Sequence, residues 1–308
     1  MSSSSGRLAV GGLLAVVALL FTSACENNPA PSPATTSTAT LPARQFPNWP
    51  PVANEFRFQW SAAPGIDLAA GPAVTLRAYV ESYRLSGFAG GDQSVVYPGF
   101  IRATPESTGP LTESGSLLQL RNVRPRTRAD LEAEGWTYAE RQVYGYQPTH
   151  ILNLQPQGDG YRATVCLGLY SVYRTADNDP RKYFSTIADP DTGKFGYAGT
   201  QLVEIWRVEL TDRDPRVANA PASPTIPQIG PLPAPTEDVF GHWFITGRSS
   251  GLWGPLGQDE NIDTPEVRQQ CEDAMPDDAA ARMAMATGFH TQPPPHGNPI
   301  PGWPVQAK

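Results

Sequence analysis

His150-Ile151-Leu152-Asn153-Leu154, followed by Gln155-Pro156-Gln157-Gly158-Asp159-Gly160 and then Tyr161-Arg162-Ala163-Thr164-Val165-Cys166-Leu167-Gly168-Leu169-Tyr170-Ser171-Val172-Tyr173, is the stretch whose reading decides the fold. The two flanks read as strands, and the Gly-Asp-Gly run between them has hairpin chemistry. In the second strand Ala163, Val165, Leu167 and Leu169 share one face, whereas Arg162, Thr164 and Cys166 share the other. Side chains alternate along a strand, so Cys166 points away from the apolar side.

Working outward, Leu202 to Leu210 and Phe240 to Thr246 read as further strands. On the N-terminal side, Pro72 suits the first turn of a helix over Val74 to Ser86, with Gly87 as its stop. Leu76, Tyr79, Val80 and Tyr83 recur there at helical spacing and make one apolar face. Thr127 to Asp130 has the capping-box pattern before a short helix ended by Gly135. Toward the C-terminus, Thr264 and Pro265 open a helix through Cys271, and a second, Ala-rich helical run extends from Pro276 to Thr287. The expected class is α+β, with leading helices packed on a curved antiparallel sheet, long Pro-rich loops and a C-terminal helical segment.

The first 24 residues read as an export signal. Arg7 is the only charge before Glu26, and the apolar run over residues 8 to 21 is shorter than the ~20 residues a membrane span needs. Thr22-Ser23-Ala24-Cys25 resembles the bacterial lipobox, in which a small residue precedes a cysteine that is acylated and becomes the new N-terminus. Thr22 stands where that pattern prefers Leu, and Thr22 with Ala24 also satisfies ordinary secretory cleavage. A freely secreted chain is therefore the alternative to a lipoprotein at the outer face of the plasma membrane. Residues 25–51 hold seven Pro and six Ser or Thr, a composition that stays extended and suits a tether. Residues 52–291 are expected to form one domain, with a Pro-rich loop at 215–236 inside it and a Pro-rich tail at 292–308.

Three cysteines are present, Cys25, Cys166 and Cys271. If Cys25 carries lipid, an even pair remains in a compartment that permits disulfides, and Cys166–Cys271 is the expected bridge. It would close a loop of about a hundred residues, for which chain entropy alone gives about 4 to 5 kcal/mol. Two buried free thiols are the bland alternative.

Removal of residues 1–24 leaves 22 Lys plus Arg against 30 Asp plus Glu, a net charge of −8. So acidic a chain is a poor partner for nucleic acid, whose binding relies on basic side chains. No cofactor is indicated. The four histidines (His150, His242, His290 and His296) and the cysteines lack zinc-ligand spacing. Asp177-Asn178-Asp179 and Asp189-Pro190-Asp191 read as solvated turns, since neither extends into a calcium loop. Gly247-Arg248-Ser249-Ser250-Gly251 matches a nucleophile elbow, but Gly254 and Pro255 deny it the helix that must follow.

His150, at the start of a strand, is the one candidate for a general base. Arg121, Arg124, Arg126 and Arg128 form a basic run that suits contact with anionic headgroups or an envelope polymer, or else a solvated loop. Trp136, Tyr138, Tyr144 and Tyr146 share one parity and read as sheet core or as a sugar-stacking stripe.

The order of elements over roughly residues 71–247 resembles the nuclear-transport-factor-two-like fold. That resemblance implies a curved sheet wrapped around a helix, a cone that often contains a pocket. Lipobox, Pro/Thr tether and α+β domain together also resemble uncharacterised actinobacterial envelope lipoproteins. Neither resemblance carries a catalytic residue. The expected role is non-enzymatic: binding an envelope protein, lipid or glycan while the N-terminal lipid holds the membrane. The alternative is an enzyme acting on a small molecule through a pocket acid/base such as His150.

Overall fold

A computed structural model describes residues 43–106, 113–136, 140–196 and 199–305. Cys25, the signal segment and the tether as far as residue 42 lie outside them. The fold is α+β: a strongly curled, mostly antiparallel sheet forming a half-barrel, with few helices.

The hairpin is built as its sequence implies. Strand β2 (Tyr144–Gln157) and strand β3 (Gly160–Gly168) pair antiparallel, with Gln157 opposite Gly160 across a two-residue Gly158-Asp159 turn. The long run expected from Tyr161 to Tyr173 is interrupted after Gly168 and resumes as β4 (Val172–Ala176) on β2. Thr149 faces Leu167 and Gly145 faces Val172, so four steps on β2 match five on its partner. That one-residue bulge bends the sheet. Gly145 allows the bend: its φ is +85°, and a Cβ there would strike the Ser171 carbonyl oxygen.

Strand β5 (Asp179–Ser185) pairs with β4, β6 (Val203–Thr211) with β3, and β7 (Phe244–Ser249) with β6, all antiparallel. One strand had no counterpart in the sequence reading. Strand β1 (Glu55–Ala62) precedes every helix longer than a single turn and runs parallel to β2 along its other edge. Its Phe56, Phe58 and Trp60 alternate inward.

Helix α1 (Pro72–Phe88) begins at Pro72 and runs through Gly87. Leu76, Tyr79 and Val80 are fully buried against the face of the sheet that presents Ala163, Val165 and Leu167. Helix α2 (Arg128–Ala133) carries the expected capping box, with Thr127 and Asp130 bonding each other's backbone N–H. On the opposite face, helix α3 (Pro265–Asp273) is capped by Thr264 as expected. Helix α4 (Ala279–Ala286) starts later than Pro276 because Asp278, which accepts from the Ala281 N–H, supplies the cap. A disulfide joins Cys166 of β3 to Cys271 of α3, 105 residues apart, and clamps the helix to the second face.

Two Pro-rich segments are structural. Trp303 of the expected tail is buried and exchanges backbone hydrogen bonds with Leu232 of the 215–236 loop. The end of the expected tether is packed as well: Trp49 is fully buried, and Asn48 donates to the carbonyls of Pro235 and Thr236. Domain boundaries drawn at 52 and 291 from proline content therefore cut through the core. Apolar anchors such as tryptophan override local composition.

Candidate functional site

The space between α1 and the curled sheet is filled by side chains. Tyr79 stacks on Phe100, and Tyr83 packs edge-on against Trp206. At the heart lies Glu81 of α1, fully buried, whose carboxylate accepts from Trp60 Nε1 at 2.7 Å, Tyr97 Oη at 2.7 Å and Trp303 Nε1 at 2.8 Å. One turn earlier Arg77, equally buried, donates to the carbonyls of Leu68, Gln228 and Pro301 and lies 4.2 Å from the Trp303 ring centre. Burial raises the Glu81 pKa, opposed by the Arg77 charge and the three donors. Burial likewise lowers that of Arg77, opposed by Glu81. This pair ties β1 and the segment around Trp303 to α1 and is structural, since both oxygens of Glu81 are engaged.

Further along the same face, a second polar group is far less satisfied. Strand register places Thr149, Leu167 and Glu204 in one row across β2, β3 and β6, and Ile151, Val165 and Trp206 in the next. Arg248 of β7 lies with its guanidinium 3.9 Å from the Trp206 ring centre and 4.7 Å from that of Tyr83. Arg84 of α1 donates to Gln147 Oε1 at 3.2 Å. Both arginines approach Glu204, at 4.0 Å for Arg84 and 3.7 Å for Arg248. Burial lowers the Arg84 pKa, Glu204 offsets this, and the positive charges of Arg248 and of Arg174 on β4 lower it further.

Gln147 and Trp206 are buried, yet Gln147 Nε2 and Trp206 Nε1 have no hydrogen-bond partner among the described residues, and neither do Arg174 Nε and Arg248 Nε. Every one of these is a donor. Elsewhere in the protein arginines reach carboxylates at hydrogen-bond distance, as in Arg102–Asp238 at 2.5 Å and Arg216–Asp214 at 2.7 Å. Here the charges gather without closing.

The residues singled out by sequence are placed elsewhere. His150 sits on β2 opposite Cys166, on the disulfide face, with Nδ1 2.8 Å from Ser61 Oγ of β1. Burial lowers its pKa. The basic run is dispersed by its own contacts. Arg124 donates to the carbonyls of Ile101 and Thr104. Arg126 pairs with Glu134, and Arg128 bonds Glu140 and the Ala89 carbonyl, while Arg121 is exposed. The aromatic stripe is divided too. Trp136 is exposed, Tyr138 lies outside the described residues, Tyr144 packs on Tyr183 and Tyr146 donates to Asp277.

Asp179 and Asp189 accept backbone N–H groups two or three residues on, as Asx turns do. No metal-binding cluster occurs among the described residues. After Ser249 the chain enters a two-stranded ribbon (β8, Leu252–Trp253; β9, Glu260–Asn261) instead of a helix, and Ser249 Oγ accepts from the Gly251 N–H.

Two small recesses accompany this packing. One, of about 20 Å³, lies between the start of α1 and the 215–236 loop and borders Val74, Gln228 and Trp243. The other, about 200 Å³, is an open groove at the hairpin end, beside Asp159, Tyr161 and Glu209. His150 lines neither.

The five residues of the unsatisfied group are not legible as a group in the sequence. Arg248 stands inside a motif weighed for its serine, and Arg84 follows the apolar helix residue Tyr83. Only strand register and the curl of the sheet bring them together with Gln147, Glu204 and Trp206. No protein-family model, curated protein or solved structure matches this chain.

Proposed function

We propose that the chain is exported, acylated at Cys25 and held at the outer face of the plasma membrane, where its folded unit serves as a binding or interaction protein. The observation that carries the reading is the Cys166–Cys271 disulfide. Both cysteines are fully buried, and such bonds persist in oxidising compartments outside the cytosol. The lipobox-like run and the Pro/Thr tether supply the address and the reach. No helix among the described residues is long and apolar enough to cross a membrane.

A binding role fits an interior packed with aromatic side chains better than it fits a deep reaction pocket. A pocket enzyme built on His150 would need an acid beside the imidazole. The partner His150 has is the Ser61 hydroxyl, on the disulfide face and away from the packed interior. The partner class is an envelope protein, lipid or glycan.

The test is a Cys25→Ser variant expressed in a bacterial host with lipoprotein processing. Wild type is expected in the membrane fraction with added acyl mass, and the variant is expected free of both. Retention of the variant at the membrane with its lipid mass would overturn the anchored reading. A wild type recovered without lipid in the medium would favour the secreted alternative.

A further inference from the structure

The charged residues on the α1 face divide into two groups. Around Glu81 the charges balance, with Arg77 against a carboxylate whose two oxygens are both engaged. Around Glu204 they do not: Arg84 and Arg248 bring two positive charges against one carboxylate, a formal balance of +1. The two ion pairs made by Glu204 are loose, at 3.7 and 4.0 Å. Two donors on buried side chains, Gln147 Nε2 and Trp206 Nε1, and the Nε atom of Arg248 lack acceptors among the described residues. A buried donor left unmade costs about 1 to 3 kcal/mol, so a cluster of them on one face asks for an acceptor. The site also reaches solvent, with 20% of the Arg84 side chain and 27% of that of Glu204 exposed.

We infer that Arg84 and Arg248, together with Gln147 and Trp206, form a binding site for a phosphate group, entered from the Glu204 side. A phosphate monoester carries about −1.5 to −2 charges near neutral pH and three acceptor oxygens, which answers both the excess positive charge and the donor surplus. Guanidinium groups suit it because their planar forks bond oxyanions two donors at a time. Glu204 acts as the resident anion: it holds the arginines apart from solvent counter-ions and competes with the ligand. The inference names a ligand class for the binding role proposed above, and rests on that role but not on export or lipidation.

The experiment is a calorimetric titration of the full exported chain with inorganic phosphate at low ionic strength, with chloride as the control anion. Saturable phosphate binding is expected. Arg248→Gln should weaken it at least about tenfold, the scale of one charge-assisted hydrogen bond. Glu204→Gln should tighten it about threefold or more, because a competing charge is removed, and misfolding cannot mimic a gain. Arg213→Gln removes the same charge from an exposed pair with Asp159 and should change affinity by less than about twofold.

Vesicles of phosphatidylglycerol, offered to the Cys25→Ser chain, distinguish the source of the phosphate. Arg248-dependent recruitment points to a lipid headgroup, and binding of free phosphate without recruitment points to a soluble ester. The inference is overturned by any of three results: neither probe binding, Glu204→Gln failing to tighten binding, or Arg213→Gln weakening it as much as Arg248→Gln. Failure of the lipidation test would leave this site intact, and failure of the titration would leave the anchor intact.

Discussion

The two faces of the sheet are stabilised by different means. The α1 face carries a large apolar core that includes Trp49, Trp60, Trp206 and Trp303, and it tolerates a buried Arg77–Glu81 pair within it. The face under α3 and α4 has a far smaller core around Tyr170, Ile187, Ile205 and Met275. That core is supplemented by the Cys166–Cys271 bond and by the Tyr146 and Tyr170 hydroxyls, which both donate to Asp277. A wide core has enough surrounding structure to satisfy buried charge with long-range donors. A narrow one gains more from restricting the unfolded chain.

The largest effect should come from breaking the charge balance of the first face. Glu81→Gln sets an amide NH2 among the Trp60, Tyr97 and Trp303 donors and leaves buried donors unpaired, and a loss of roughly 3 to 5 kcal/mol is expected in denaturant titration. Its pH dependence has a definite sign. Burial raises the Glu81 pKa above its unfolded value, so the folded state binds a proton more readily. The stability that the ionisable group contributes relative to Glu81→Gln is therefore greatest at low pH. It falls as pH rises from the ordinary carboxylate range through the raised pKa, then levels. A difference that grows with pH would mean that the hydrogen bonds and Arg77 outweigh desolvation.

The second effect bears on the opposite face. Replacing Cys166 and Cys271 together with alanine should cost about 2 to 4 kcal/mol. Hydrogen exchange should show α3 and α4 losing protection while α1 keeps its own. Equal loss on both faces would show that the disulfide serves the whole fold and would erase the contrast. The smallest effect is Tyr170→Phe, which removes one of two hydroxyls from Asp277 at a cost of about 1.5 kcal/mol, read as a shift in denaturant midpoint. The remaining Tyr146 donor should keep the Asp277 turn in place. A loss as large as that of the double cysteine variant would make the tyrosine–carboxylate contact, and not the disulfide, the main clamp.

Much of the architecture could be read from local pattern. The alternation of Ala163, Val165 and Leu167 against Cys166 assigned each to its face, because a strand has a period of two whatever surrounds it. Pro72, the Thr127–Asp130 box and the Thr264-Pro265 start were readable because helix ends leave backbone groups that nearby side chains must satisfy. Strand β1 was passed over although Phe56, Phe58 and Trp60 alternate plainly, because it follows a Pro-rich run that reads as tether. The same proline content hid the burial of Trp303. The partners of both lie far along the chain, with Phe58 opposite Gln147 and Trp303 bonded to Glu81.

Residue order alone was enough for the α+β class, the facing of the hairpin and the choice of Cys166 and Cys271 as partners. Those properties depend on short-range periodicity and on simple pairing. The tertiary structure decided that Trp49 and Trp303 of the proline-rich segments belong to the core, that Arg124, Arg126 and Arg128 make separate local contacts, and that Arg84 and Arg248 meet around Glu204. Such convergence depends on strand register and sheet curl, which are set by pairing between segments well separated in the chain, as where Phe58 lies opposite Gln147 and Leu167 opposite Glu204.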